Sequence, residues 1–179
     1  MIITKTPLNN LLIIQPEIFS DNRGCFFESY NKKSFDTSIQ ENINFVQDNH
    51  SVSSIGVVRG LHYQIEPFEQ SKLVRVIKGE IFDVAVDLRK NSKTLGKWFG
   101  VILNEKNYKQ LWIPRGFAHG FVALKENTHV LYKTDNFYMP KYEKCIKFND
   151  KTINIKWPKC EVSLSDKDIN GESFEELFS

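Results

Sequence analysis

The chain has 179 residues, 41% hydrophobic and 26% charged, which is long enough to bury a sizeable core in one domain and too apolar for a disordered segment. Its formal net charge of +2, with no stripe of Lys or Arg, argues against a nucleic-acid partner but leaves room for a phosphorylated small molecule, which needs only two or three placed cations. The three cysteines lie far apart without a Cys-x-x-Cys and read as free thiols of a reducing compartment. The apolar run Leu11-Leu12-Ile13-Ile14 is too short for a signal-peptide core or a membrane span, so a cytoplasmic protein with no membrane partner is expected.

In chain order, short strands are expected over residues 2–6 and 11–15, then at 25–30 after the turn Asp21-Asn22-Arg23-Gly24. Residues 32–40, with Phe35 and Ile39 four apart, form the best helix candidate. Strands follow at 44–53, 57–62 and 72–78. Lys78-Gly79 reads as the turn of a hairpin into a strand at 80–87. Strands at 98–103, 110–113, 119–123 and 128–135 complete the set. The tail from 165 carries Phe174, Leu177 and Phe178 and suits a short closing helix. Spacing near ten residues with Gly and Pro at the turns predicts an all-β fold, a jelly roll or barrel with a few short helices, in one domain spanning 1–179. The phenylalanine-rich composition suits a core filled by large side chains.

The chemistry narrows by elimination. A metal-binding jelly roll supplies two closely spaced His, a Glu, and a later His. Here His62 is followed by Tyr63 and Gln64, and Pro114-x-Gly116-x-x-His119 matches only the later half, so no metal is expected. No glycine-rich nucleotide loop occurs, so no nicotinamide or ATP cofactor is expected either. Acid–base chemistry next to a carbonyl remains. It needs a base, a cation for the enolate oxygen, and an acid to return the proton. Return on the opposite face inverts the carbon. Histidine is the side chain that titrates nearest neutrality, which makes His62 the natural base. Lys72 suits the enolate, and Tyr132 is a candidate acid.

These residues lie in a wider pattern: Asp21-x-Arg23-Gly24-x-Phe26-x-Glu28, Phe45-Val46-Gln47-Asp48-Asn49-His50-Ser51, Arg59-Gly60-Leu61-His62-Tyr63-Gln64, Lys72-Leu73-Val74-Arg75-Val76, Gly79-Glu80-Ile81-Phe82-Asp83-Val84-Ala85-Val86-Asp87, Trp112-Ile113-Pro114-Arg115-Gly116-Phe117-Ala118-His119-Gly120-Phe121, Leu131-Tyr132-Lys133, Asn149-Asp150, Trp157-Pro158 and Leu164-Ser165-x-Lys167-Asp168. In this order the chain closely resembles dTDP-4-dehydrorhamnose 3,5-epimerase and its relatives acting on other nucleotide 4-keto sugars. The resemblance implies a cupin-type jelly roll, free of metal and cofactor, working as a homodimer in surface polysaccharide synthesis. It implies His62 as base supported by Asp168, Tyr132 as acid on the other face of the sugar, and Lys72 at the C4 oxygen. Arg59 and His119 would contact substrate oxygens, including the diphosphate. Gln47, Asp48 and Asn49 would line the pocket, and Arg23, Phe26 and Glu28 would reach a site partly from the neighbouring subunit. Tyr138 would stack on the base, with Glu143 and Lys167 as further nucleotide contacts.

The chain departs from the family at the nucleotide end. Glu143-Lys144-Cys145 stands where Glu-Gly-Gly/Ser is common, Phe148 where tryptophan is usual, and Cys25 where a larger aromatic is frequent. Inversion at C3 and C5 of a nucleotide-linked 4-keto-6-deoxy sugar is therefore the leading expectation. The alternative is inversion at C3 or C5 alone, on a GDP-linked hexose or heptose. On residues alone, Asp168 also reads as a solvated loop residue of a charged tail, and Glu143 as a surface charge.

Overall fold

The computed structural model describes residues 1–178. Thirteen strands and three short α-helices follow one another in this order, with a 3-10 turn at Pro140–Tyr142 before the last strand: β1 Ile2–Lys5, β2 Leu12–Gln15, β3 Phe19–Asp21, β4 Gly24–Phe26, α1 Lys32–Ile39, β5 Gln47–Ser53, β6 Val58–Gln64, β7 Lys72–Lys78, β8 Glu80–Asp87, β9 Trp98–Asn104, β10 Gln110–Ile113, β11 Phe117–Ala123, β12 Thr128–Thr134, β13 Glu143–Cys145, α2 Asp166–Ile169 and α3 Phe174–Phe178. A six-stranded sheet runs β1-β2-β10-β7-β12-β5 and a five-stranded sheet runs β13-β6-β11-β8-β9. The two face one another as the jelly roll that the strand spacing predicts. No helix of the described residues is long and apolar enough to cross a membrane.

The period of two along each strand sorts side chains between the two faces. In β8, Ile81 and Ala85 join the inner core with Leu111, Phe121 and Val130. The alternate residues Val84 and Val86 pack outward with Leu61, Ala118 and Ile146. That outer layer is closed by Trp157, Phe174 and Phe178 of the C-terminal segment, which is where the closing tail was expected. On the other sheet, α1 lays Phe35 over Trp112, Leu73 and Ile14. Asn31 caps this helix by accepting from the Ser34 amide at 3.2 Å. Each fully buried side chain of this size contributes on the order of 1.5–3 kcal/mol.

One expected pairing does not form. β7 and β8 do not make a hairpin: β7 pairs with β10 and β12, while β8 pairs with β9 and β11. The chain crosses from one sheet to the other at Gly79. Its φ of +82° and a would-be Cβ only 2.3 Å from Thr128 Oγ1 leave room for glycine alone. The expected strand 25–30 is also shorter, ending at Phe26 in the small β3–β4 hairpin.

Candidate active site

A cavity of about 360 Å³ opens between the sheets, lined by Ser51, Arg59, His62, Lys72, His119, Phe121, Tyr132 and Asp168 among others. Inward-facing positions of both sheets supply it. His62 of β6 sits directly opposite His119 of β11. Tyr132 of β12 lies across from Asn49 of β5 on one side and Val74 of β7 on the other. Gly60 lets β6 approach β11 closely, since a Cβ there would lie 2.5 Å from Gly120 Cα and 2.6 Å from the His119 carbonyl oxygen.

His62 Nε2 lies 2.6 Å from Asp168 Oδ1. The approach is short but off the ring N–H direction, so the buried nitrogen lacks a well-aligned partner. Asp168 is 3% exposed and is no solvated tail residue. It belongs to α2, capped by Ser165, whose Oγ accepts from the Asp168 amide and donates to Oδ2 at 2.7 Å. The Gly60 amide donates to Oδ1 at 3.3 Å. Burial alone would push this carboxyl up. Its contacts with His62, Ser165 and Gly60 outweigh burial and hold it below the usual range.

Lys72 is 7% exposed, with Nζ donating to the His62 carbonyl at 3.4 Å. Burial pulls its ammonium down to about 8, against the opposing charges of Glu143 and Asp83. His119 Nε2 contacts Asp83 Oδ1 at 2.7 Å with both side chains buried. Burial lowers the imidazole against the pull of Asp83. Burial thus favours the neutral ring, in which a hydrogen on Nε2 would face Asp83 and Nδ1 would be left as an acceptor. Tyr132 is pushed up chiefly by burial, so its phenol keeps the proton it would donate. Arg59 is held by Ser53 Oγ at 3.1 Å and the Val52 carbonyl at 3.3 Å.

A second group gathers at the rim. The Tyr138 amide donates to Gln47 Oε1 at 3.1 Å, and Gln47 Nε2 donates to Asn49 Oδ1 at 2.9 Å. The Tyr138 hydroxyl donates to Glu143, which also pairs with Lys167. That hydrogen bond is the main reason the Tyr138 phenol rises to about 12. Glu143 is thus a junction and not a loose surface charge. Phe137 and Tyr138 are both exposed, but Tyr138 alone is tied to this network.

Other expected residues lie elsewhere. Asp48 does not line the cavity: the alternation of β5 turns it outward, where Lys133 Nζ donates to it at 2.9 Å. Arg23, Phe26 and Glu28 sit on or beside the β3–β4 hairpin, away from the cavity of their own chain. Arg23 pairs with Asp21, Glu28 accepts from Asn31, and Phe26 is 68% exposed. Sequence reasoning missed Asp83, Ser165 and Gln64. Asp83 could have been found as the acid in phase with the inward Ile81 and Ala85. Gln64 stood in the quoted motif without a role, yet it is buried and pins the 137–139 segment through the Phe137 carbonyl and the Met139 amide.

Cys145 stands opposite His62 in the β13–β6 ladder. Its Sγ is 3.9 Å from Asp168 Oδ1, and burial first, then Asp168, push the thiol up to about 12. His62, Cys145 and Asp168 bring three ligand-type atoms within 4.8 Å of one another, the one such grouping that could hold a metal ion among the described residues.

The family model for dTDP-4-dehydrorhamnose 3,5-epimerase matches residues 5–176. A dTDP-4-dehydrorhamnose 3,5-epimerase of Shigella flexneri is 54% identical over 174 residues, covering 97% of this chain and 96% of that protein. The crystal structure of the Elizabethkingia anophelis enzyme of the same name superposes with a TM-score of 0.94 at 48% identity, covering 98% of this chain and 97% of that one. A Legionella pneumophila dTDP-6-deoxy-D-glucose-3,5-epimerase, solved with dTDP-4-keto-L-rhamnose, gives 0.94 at 45% identity, covering 97% and 92%. With sequence and fold in agreement over almost the full length, the chain belongs to the dTDP-4-dehydrorhamnose 3,5-epimerase family.

Proposed function

We propose that this chain inverts C3 and C5 of a dTDP-linked 4-keto-6-deoxy sugar with its own side chains alone, in the cytoplasm, feeding surface polysaccharide synthesis. The observation that carries the reading is the arrangement of base and acid. His62, backed by Asp168, projects from the five-stranded sheet, while Tyr132 and Lys72 project from the six-stranded sheet into the same cavity. A sugar bound between them has a proton acceptor on one face and a proton donor on the other.

His62 takes the proton from the carbon beside the C4 ketone. Asp168 Oδ1 lies 2.6 Å from Nε2 on the buried side of the ring, which leaves Nδ1 as the nitrogen to accept the proton. The electron pair moves into the carbonyl, and Lys72 stabilises the enolate oxygen, the kind of donor worth on the order of 10²–10³ in rate. Tyr132 returns a proton on the opposite face; the His62 imidazolium then gives its proton to solvent and the Tyr132 phenolate takes one from it, which resets the pair. The cycle repeats at the second carbon. General acid and base contribute about 10²–10⁴ each. His119 Nδ1 accepts from a sugar hydroxyl, and Arg59 takes the diphosphate, for which its planar fork is suited.

The rim of Gln47, Asn49, Tyr138, Glu143 and Lys167 is assigned to the nucleotide. The Legionella relative's bound dTDP-sugar favours thymidine here by kinship. The β3–β4 hairpin, with Phe19 and Phe26 exposed, is assigned to a homodimer in which Arg23, Phe26 and Glu28 complete the partner's site. Sedimentation at micromolar concentration should give twice the chain mass; a monomer ends that assignment.

The test of the reaction is deuterium incorporation from D2O into dTDP-4-keto-6-deoxyglucose. Label at both C3 and C5 is expected, and none with His62→Ala. Label at one carbon would make the chain a one-centre epimerase. Label only with a GDP-linked donor would overturn the nucleotide.

A further inference from the structure

We propose that His62, Cys145 and Asp168 form a binding site for a thiophilic divalent cation of the zinc type, and that the bound ion competes with catalysis by capturing the base. The ligand atoms of all three lie within 4.8 Å of one another, with Asp168 and Cys145 buried and His62 half-buried. An imidazole nitrogen, a thiolate and a carboxylate oxygen are the donor set that zinc selects. Zinc bond lengths near 2.0–2.3 Å place tetrahedral ligand atoms roughly 3.3–3.6 Å apart. The observed Asp168 Oδ1 separations, 2.6 Å to His62 Nε2 and 3.9 Å to Cys145 Sγ, bracket that range.

Two further observations point the same way. His62 Nε2 is a buried nitrogen without an aligned hydrogen-bond partner, so a cation would supply what the protein leaves open. The charges also balance: one carboxylate, one thiolate and a neutral imidazole cancel a divalent ion, which removes the cost of an unpaired buried charge. Binding breaks the Cys145 S–H bond, forms the sulfur–metal bond and releases one proton to solvent. The ion enters through the 360 Å³ cavity that His62 and Asp168 line, and its fourth position is left to water. Cys145 lies on β13, directly opposite His62. A small residue there would leave two ligands, too few for such a site.

The competition rests on the proposed role of His62; the site itself does not. The full chain carrying Cys25→Ser and Cys160→Ser, which removes the exposed thiols, is titrated with cobalt chloride. A thiolate-to-cobalt charge-transfer band at one ion per chain is expected, displaced by zinc chloride and lost when Cys145→Ala is added. Cys145→Val serves if the alanine variant does not fold. Zinc should block deuterium exchange, with full recovery on adding EDTA. The inhibiting concentration should rise by at least about tenfold in Cys145→Ala, as loss of one ligand requires, with metal-free turnover unchanged. Absence of the band, or a band and inhibition indifferent to Cys145, overturns the site. A band that leaves turnover intact overturns the competition. If the metal-free chain exchanges no label, the epimerase reading fails while the cobalt band still decides the site.

Discussion

Lys72 carries its charge where charge is costly. Burial lowers its ammonium from 10.5 to about 8, a burden of about 3 kcal/mol on the folded state at 1.36 kcal/mol per unit. Because the folded value is the lower one, the burden is complete below about 8 and fades as pH rises to 10.5. Lys72→Met should therefore abolish turnover yet unfold at higher denaturant at pH 7, by up to about 3 kcal/mol, with the gain vanishing towards pH 10.5. A variant less stable than the parent at pH 7 would show that the lysine contributes structure. In the parent, turnover should decline above about pH 8 as the ammonium is lost. The dyad gives a second prediction. Asp168→Asn should cut kcat by on the order of 10²–10⁴ with little change in KM, whereas Tyr132→Phe should let label wash in while inversion stops. Equal loss of washing-in and inversion would reduce Tyr132 to a substrate-positioning side chain. His62, Lys72 and Tyr132 were legible as candidates from the residue types that acid–base chemistry needs, whereas Asp168 came only with the family pattern and read on its own as a solvated tail residue. Asp48 was misread because a motif fixes neighbours in sequence, while strand alternation sends them to opposite faces.

Among the elements, strand existence was readable from alternation and spacing, and β7, β8 and β10 fall on their expected residues. Partnership was not. Lys78-Gly79 has the composition of a hairpin turn, and period-two patterning carries no information about which sheet a strand joins. Packing decided it: Ile81 and Ala85 of β8 share one core cluster with Val74 and Val76 of β7 on the facing sheet, where a hairpin would have set the two strands side by side. The crossing depends on Gly79, whose missing Cβ is filled by Thr128 at 2.3 Å from Oγ1 and 2.9 Å from Cα. Gly79→Ala should cost about 2–4 kcal/mol, combining positive-φ strain with a backbone clash. Urea unfolding would read this as a lower midpoint at unchanged slope. A loss under about 0.5 kcal/mol, the scatter of ordinary surface changes, would mean that the crossing tolerates a side chain.

For the molecule as a whole, one carboxylate ties segments far apart in the chain. Asp87 ends β8 and accepts from Arg89 at 2.8 and 2.7 Å, from Ser92 at 2.6 Å and from Thr94 at 2.7 Å. Arg89 in turn reaches the Asn9 carbonyl at 3.2 Å and lies 4.6 Å over the Phe117 ring. The knot therefore joins the N-terminal segment, β8, β11 and the loop before β9. Burial would raise this carboxyl, but the Arg89, Ser92 and Thr94 contacts outweigh it and hold it at about 2, against 3.8 for a free aspartate. A depressed folded value means that the stabilisation is present above 3.8 and lost as pH falls through about 2. The difference is worth about 2 kcal/mol. Asp87→Asn should accordingly destabilise the chain at pH 7, and its deficit against the parent should shrink by about 2 kcal/mol between pH 5 and pH 2 in matched denaturation series. A deficit of constant size across that range would show that the amide loses shape and hydrogen bonds alone, and that the charge of Asp87 contributes nothing to holding these four segments together.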